Sequence, residues 1–332
     1  MTYSQGGLIQ STDYNGFVTT TSGANVNNVW STGSGDFGWG QTAISTVSPS
    51  ATVTSTQWAT LVANISSMGS QTSTTITART QPTPGTIISA LSNINTDLTN
   101  ITTNRGNAAA SGTTSSTWTG STAKTATTGT GNAAWSITFT HTVTFPSADQ
   151  ARYFWNAGGL VRLDMNKSST GLDSDPDWNS FVGTIGTLYM SGRVNSTNQS
   201  IAASTYTGFT RVGGSGTPSP NLTTTGWYSL TGGAAATSMF TLTNAISPYT
   251  GDYINVTAAV NSGRTTLTFV TTWYSAARTA VGENTQISGG TDTTSPYSAF
   301  GTAPAVLCRY IPPSTTYLTN SWGTPTIAAS VV

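Results

Sequence analysis

Between Trp135 and Phe145 the chain alternates without a break. Trp135, Ile137, Phe139, His141, Val143 and Phe145 take the odd positions, and Ser136, Thr138, Thr140, Thr142 and Thr144 the even ones. A period of two places the first set on one face of a pleated strand and the second on the other. A helix would scatter the same residues around its circumference. The stretch therefore predicts a half-buried strand whose apolar face needs a second layer to cover it. Pro146 ends it, because proline brings no backbone N–H to a ladder. Ser147-Ala148-Asp149-Gln150 then has capping-box spacing and predicts a short helix through Trp155, with Asn156 and Gly158-Gly159 at its C-terminal cap. A strand from Leu160 to Met165 follows. Further strands are expected at 183–190, 237–243, 252–260, 264–274 and 304–311, with Asn261-Ser262-Gly263 closing a hairpin.

Two more helices are expected in the N-terminal third. Thr54 and Gln57 have capping-box spacing, and Trp58, Leu61, Val62, Ile65 and Met68 share one face after them. A second helix is expected after Pro84-Gly85. Its apolar residues Ile87, Leu91, Ile94, Leu98 and Ile101 are spaced 4, 3, 4, 3, a heptad-like seam barely two heptads long. Two readings are open for these five candidate interface residues: one side of a helical hairpin packing on itself, or a seam against a symmetry mate. Residues 1–50 read as turn-rich with aromatic punctuation, and Ser34–Gln41 as an ordered, glycine-dense loop wrapped on aromatics. The expected fold is mainly β, with a small α-helical N-terminal part and a β-sandwich-like C-terminal region. The expected organisation is a turn-rich N-terminal region with the helical hairpin (1–110), a Gly/Ser/Thr-rich linker (111–132) and the sandwich-like part (133–332).

Composition narrows function. Only 7% of the residues are charged, net charge is zero, and Lys124 and Lys167 are the only lysines. No basic surface is available to grip phosphates, so nucleic acid is not an expected partner. No 18-residue apolar run is present, so no membrane insertion is expected. The N-terminus MTYSQGGLIQ lacks the basic and apolar regions of a secretory signal. Ten Trp, twelve Tyr and ten Phe, together with many Thr, separate the chain from disordered polar tracts.

Few groups suit catalysis. His141 is the only histidine and shares a face with Phe139 and Val143, which fits a structural histidine better than the base of a Ser-His-Asp triad. Cys308 is the only cysteine, which excludes an internal disulfide and cysteine metal clusters. Neither a catalytic set nor a cofactor is expected. Asp173, Asp175 and Asp177 form Asp-Ser-Asp-Pro-Asp, a pattern of hard oxygens able to ligate calcium. It lacks the sixth-position Gly and twelfth-position Glu of an EF-hand, so a solvated loop is the competing reading. Arg152, Arg162, Arg278 and Arg309 lie beside apolar or aromatic residues and suit subunit contacts or intrachain pairs. Trp118, Trp178, Trp227 and Trp322 sit in turn-rich stretches, where an exposed ring could stack on sugars.

Several stretches resemble virion structural proteins of tailed, T4-like phages of marine bacteria and cyanobacteria. They are Gly7-Leu8-Ile9, Thr12-Asp13-Tyr14-Asn15, Asn28-Val29-Trp30, Gly38-Trp39-Gly40-Gln41, Gln57-Trp58, Gly85-Thr86-Ile87, Asn104-Arg105, Pro312-Pro313-Ser314 and Trp322-Gly323-Thr324. The most specific piece runs from Phe145 to Gly159 and contains Arg152-Tyr153-Phe154-Trp155-Asn156-Ala157-Gly158-Gly159. The resemblance implies membership of a virus particle, made in the host cytoplasm and released by lysis. It implies a homo-oligomer in the tail, neck or fibre, or else a capsid decoration protein. The partners implied are other virion proteins and copies of itself, with a host surface glycan as a second class if the chain is a receptor-binding adhesin.

Overall fold

A computed structural model describes residues 10–19, 24–80, 93–108, 119–123, 134–169, 175–193, 196–198, 204–206, 208–215, 224–245, 249–276 and 304–332. Six helices occur among them: α1 (Ser11–Thr19), α2 (Val26–Trp30), α3 (Ser55–Gln71), α4 (Ile94–Asn104), α5 (Ala148–Asn156) and α6 (Asp175–Ile185). The strands are β1 (Thr119–Ala123), β2 (Trp135–Thr144), β3 (Leu160–Asn166), β4 (Thr187–Met190), β5 (Ser196–Asn198), β6 (Ser204–Tyr206), β7 (Phe209–Val212), β8 (Thr237–Thr243), β9 (Tyr253–Val260), β10 (Thr266–Ser275), β11 (Ala305–Ile311) and β12 (Thr326–Val331). Two five-stranded antiparallel sheets result, ordered β1-β11-β3-β4-β7 and β12-β2-β10-β9-β8. Neither closes into a barrel. β5 and β6 pair separately.

The alternating stretch, β2, lies in the second sheet between edge strand β12 and central strand β10. β10 pairs with β2 on one side and β9 on the other, and the registers line up buried residues in rows. Ile254, Trp273 and Ile137 form one row, and Val256, Thr271 and Phe139 the next. Ala258, Phe269 and His141 follow, then Val260, Leu267 and Val143. Phe209 of the first sheet meets Phe269 of the second at 6.3 Å between ring centres. Buried side chains from Tyr14 to Trp322 belong to one contiguous apolar cluster, so the N-terminal helices share a core with the sheets.

Thr271 is the odd member of its row. It is fully buried between Val256 and Phe139, and among the described residues nothing accepts or donates at its hydroxyl. A buried hydroxyl without a partner costs about 1–3 kcal/mol. Thr271→Val keeps the shape and removes the hydroxyl, and is expected to stabilise the fold by roughly 1 kcal/mol. A urea midpoint that stays put or falls would contradict this.

Four expectations need correction. Helices are not confined to the N-terminal part: besides the expected α5, α6 lies among the strands, and helix and strand contribute nearly equally among the described residues. Residues 183–190 divide between the end of α6 and β4. Within the stretch read as a linker, Thr119–Ala123 is a strand paired with β11. Residues 1–50 also contain two helices. Tyr14 and Phe17 of α1 pack edge-on against Trp58 of α3, at 5.3 and 6.3 Å. The capping box at α3 forms as read, and at α5 the Ser147 side chain caps the helix through one half of the expected box. The Gln57 amide donates to Thr54 Oγ1 and the Thr54 amide to Gln57 Oε1, and the Gln150 amide donates to Ser147 Oγ.

Candidate functional site

The stretch from Arg152 to Gly159 closes a polar clasp on the glycine-dense loop. Asn156 ends α5 and is buried. Its Nδ2 donates to the carbonyls of Phe37, at 2.7 Å, and Gly38, at 3.1 Å. Its Oδ1 accepts from Arg193, at 2.8 Å, and from the Tyr228 hydroxyl, at 2.7 Å. Its backbone carbonyl accepts from Trp39 Nε1. Arg152 donates to Thr32 O and Phe37 O and pairs with Asp149. Arg193 also reaches Asp36 O, while Arg105 pairs with the Asp36 carboxylate and lies over the Phe37 ring at 4.0 Å. Gln41 exchanges bonds with Thr319 near the C-terminus, and Ser321 donates to Trp39 O. Glycine is needed where the loop touches this frame. Gly38 has φ +89, and a Cβ there would lie 2.0 Å from Thr32 O. A Cβ on Gly40, with φ +68, would strike the Tyr153 ring.

A second polar group sits on the face of the first sheet away from Phe209. Asp164 takes a bidentate contact from Arg162, with a shortest separation of 2.6 Å, one bond from Arg309 at 3.3 Å and one from the Thr187 hydroxyl. Beside it Leu160, Tyr189, Tyr206 and Ile311 make a separate small apolar cluster. Burial, with help from neighbouring Tyr189, pushes the Tyr206 phenol up to about 12. Burial also raises Tyr189, against the opposing pull of Arg162, and raises Tyr228 against Arg193. A phenol raised in the folded state contributes stability that is complete below its unfolded pKa of about 10 and is lost as pH rises through the folded value. The melting temperature should therefore hold from pH 7 to about pH 9 and fall above pH 10. An unchanged midpoint at pH 11 would contradict the burial of these phenols.

The third feature is a groove between α6 and the end of β8. It is lined by Asp177, Ser180, Phe181, Thr184, Leu242, Thr243, Asn244 and Ala245, with a cavity volume of about 160 Å³. Asn244 Nδ2 donates to Asp177 Oδ2 at 2.7 Å. Phe181 and Leu242 are buried at its floor, while Ser180 and Thr243 are exposed at its rim.

The residues singled out in the sequence fall as follows. Asp173 lies outside the described residues, as does the side chain of Asp175. Asp175 begins α6 and Asp177 lies in its first turn, so this part of the motif is helix rather than loop. Among the described residues no three acidic, His or Cys side chains gather as a metal site. Ile87 and Leu91 lie outside the described residues. Ile94, Leu98 and Ile101 are buried in the chain's own core, which leaves the α4 part of that seam no surface for a second copy. Arg152, Arg162 and Arg309 bind within the chain, and Arg278 lies outside the described residues. Trp178, Trp227 and Trp322 are each 1% exposed, so none offers a ring to a sugar; Trp118 lies outside the described residues. His141 and Cys308 are fully buried, and burial raises the Cys308 pKa. Asn156, Arg193 and the Asp177–Asn244 pair were not anticipated as sites.

No helix among the described residues is long and apolar enough to cross a membrane. The chain matches no protein-family model, no curated protein and no solved structure.

Proposed function

We propose that this chain is a non-enzymatic structural protein of a phage virion, tail, neck or fibre-associated, working as a homo-oligomer alongside other virion proteins. Its two sheets would form a β-sandwich-like body. The supporting observation is how its polar side chains are used. Arg152 reaches back 115 residues to Phe37, Arg193 reaches back 157 to Asp36, and Gln41 reaches forward 278 to Thr319. Each of these bonds ties remote backbone into one rigid frame. The sole histidine and sole cysteine are sealed in the core, where neither can meet a substrate. Such a body suits a particle subunit, which must hold its shape for long periods. Its sparse charge also makes contacts less sensitive to salt than ion-paired interfaces.

Mass spectrometry of purified particles, followed by gold-labelled antibody in electron microscopy, tests this reading. The protein should appear in constant proportion to other particle components, with label on the tail. Particles that lack it would sink the proposal. Label over the head would favour the capsid-decoration reading. A receptor- or glycan-binding adhesin is the other alternative, and the α6–β8 groove is the feature that speaks for it.

A further inference from the structure

We infer that the groove between α6 and β8 is a binding site for one neutral pyranose unit of a saccharide. This goes beyond the structural role proposed above and does not depend on it, because it concerns the isolated protein rather than the particle.

The size fits a single ring. About 160 Å³ is well below the range for drug-sized pockets, which starts near ~300 Å³. The lining fits the two chemical sides of a sugar. Phe181 and Leu242 give an apolar floor able to cover the C–H face of a pyranose. Asp177 and Asn244 provide acceptors and an amide at one end, and the hydroxyls of Ser180, Thr184 and Thr243 complete the polar lining. A carboxylate has about four acceptor positions, which suits the paired donors of vicinal hydroxyls. The Asn244 amide holds the carboxylate by one oxygen at 2.7 Å and so sets its direction.

Other small ligands fit less well. Among the described residues no lysine or arginine lines the groove, so an anion would face Asp177 without compensation. Among the described residues one carboxylate, one side-chain amide and three hydroxyls line the groove, short of the carboxylate-rich set of six to eight oxygens that calcium takes. An apolar ligand would cover the Asp177–Asn244 pair and add no hydrogen bond to it, so its polar end of the groove would lose solvent without compensation.

Two features keep the site in place. Trp178 of α6 stacks on Trp273 of β10 at 5.4 Å, which seats the helix carrying Asp177, Ser180, Phe181 and Thr184. Asn244 is anchored on its other side, where its backbone amide donates to Asp252 O.

The test is saturation-transfer NMR and titration of the full chain with methyl α-glucoside, methyl α-galactoside, methyl α-mannoside and N-acetylglucosamine, with cyclohexanol as an apolar control. Saturable binding of at least one sugar is expected, without comparable binding of cyclohexanol. Ser180→Trp, at an exposed helical position, should block the groove and abolish binding while leaving the far-ultraviolet spectrum unchanged. Asp177→Asn should weaken binding at least tenfold. Absence of binding by all four sugars overturns the inference. So does binding that survives Ser180→Trp, or cyclohexanol binding as well as the sugars. The outcome on particles is separate: a chain built into virions that binds no sugar would leave the structural reading standing and remove this one.

Discussion

Replacing Asn156 with alanine is expected to lower folding stability by about 4 kcal/mol. Its side chain makes four hydrogen bonds, two to the carbonyls of Phe37 and Gly38 and two from Arg193 and Tyr228. Truncation removes a bond from each of the four partners, in a region where Asn156 is 2% exposed, although Phe37 O still accepts from Arg152. Each buried group left unsatisfied costs about 1–3 kcal/mol, and more if it is charged. The full sum is not reached, because Arg193 keeps its bond to Asp36 O and water can enter the space. A graded series separates this account from general fragility. Tyr228→Phe removes one donor and leaves Oδ1 bonded to Arg193, for a loss of about 1 kcal/mol. Asn156→Asp keeps the acceptors but turns an oxygen toward the two carbonyls, so its loss falls between the others. Urea unfolding followed by tryptophan fluorescence measures all three. A loss below ~1 kcal/mol for Asn156→Ala would mean the clasp is incidental to the fold.

That clasp also marks where sequence reading stopped. Local signals carried over well. The capping box of α3, the Ser147 cap of α5, the alternation of β2 and the glycine cap after α5 depend on residues a few positions apart, and those appeared where expected. Asn156 was legible only as a cap residue. Its partners lie at Phe37, Arg193 and Tyr228, and nothing in the local pattern points to them. β12 was missed because Thr-Ile-Ala-Ala-Ser-Val, at an edge and mostly exposed, lacks an alternation of apolar and polar residues. α1 contains Gly16 and two β-branched residues near its end, a poor helix by propensity; packing of Tyr14 and Phe17 on Trp58 holds it instead. α6 could have been found. Trp178, Phe181, Val182 and Ile185 recur at helical spacing and are all buried, but Pro176 and Gly183 obscured the pattern. Pro176 in fact sits in the first turn, where a missing N–H costs little. The groove needed both α6 and β8, more than 50 residues apart in the chain, so it was beyond any local reading.

The second large effect is expected at Trp273. Its ring is fully buried in the second sheet, in a row with Ile254 and Ile137, 6.2 Å from Phe139 and stacked on Trp178. Truncating a buried Trp to Ala removes its transfer energy and leaves a cavity, for a loss of about 3–5 kcal/mol. Thermal or urea unfolding gives the total. Part of that loss belongs to the contact with α6, and a double-mutant cycle isolates it. Trp178→Ala, Trp273→Ala and the double variant should show a coupling of about 1 kcal/mol, the range for aromatic pairs. Additive losses would mean that α6 is seated by Phe181, Val182 and Ile185 rather than by the stack. The cycle bears on the groove as well. Trp178 faces the sheet, while Asp177 and Ser180 on the same helix line the groove. If the stack seats α6, Trp178→Ala should weaken saccharide binding in a protein that still folds, without altering any residue that lines the site.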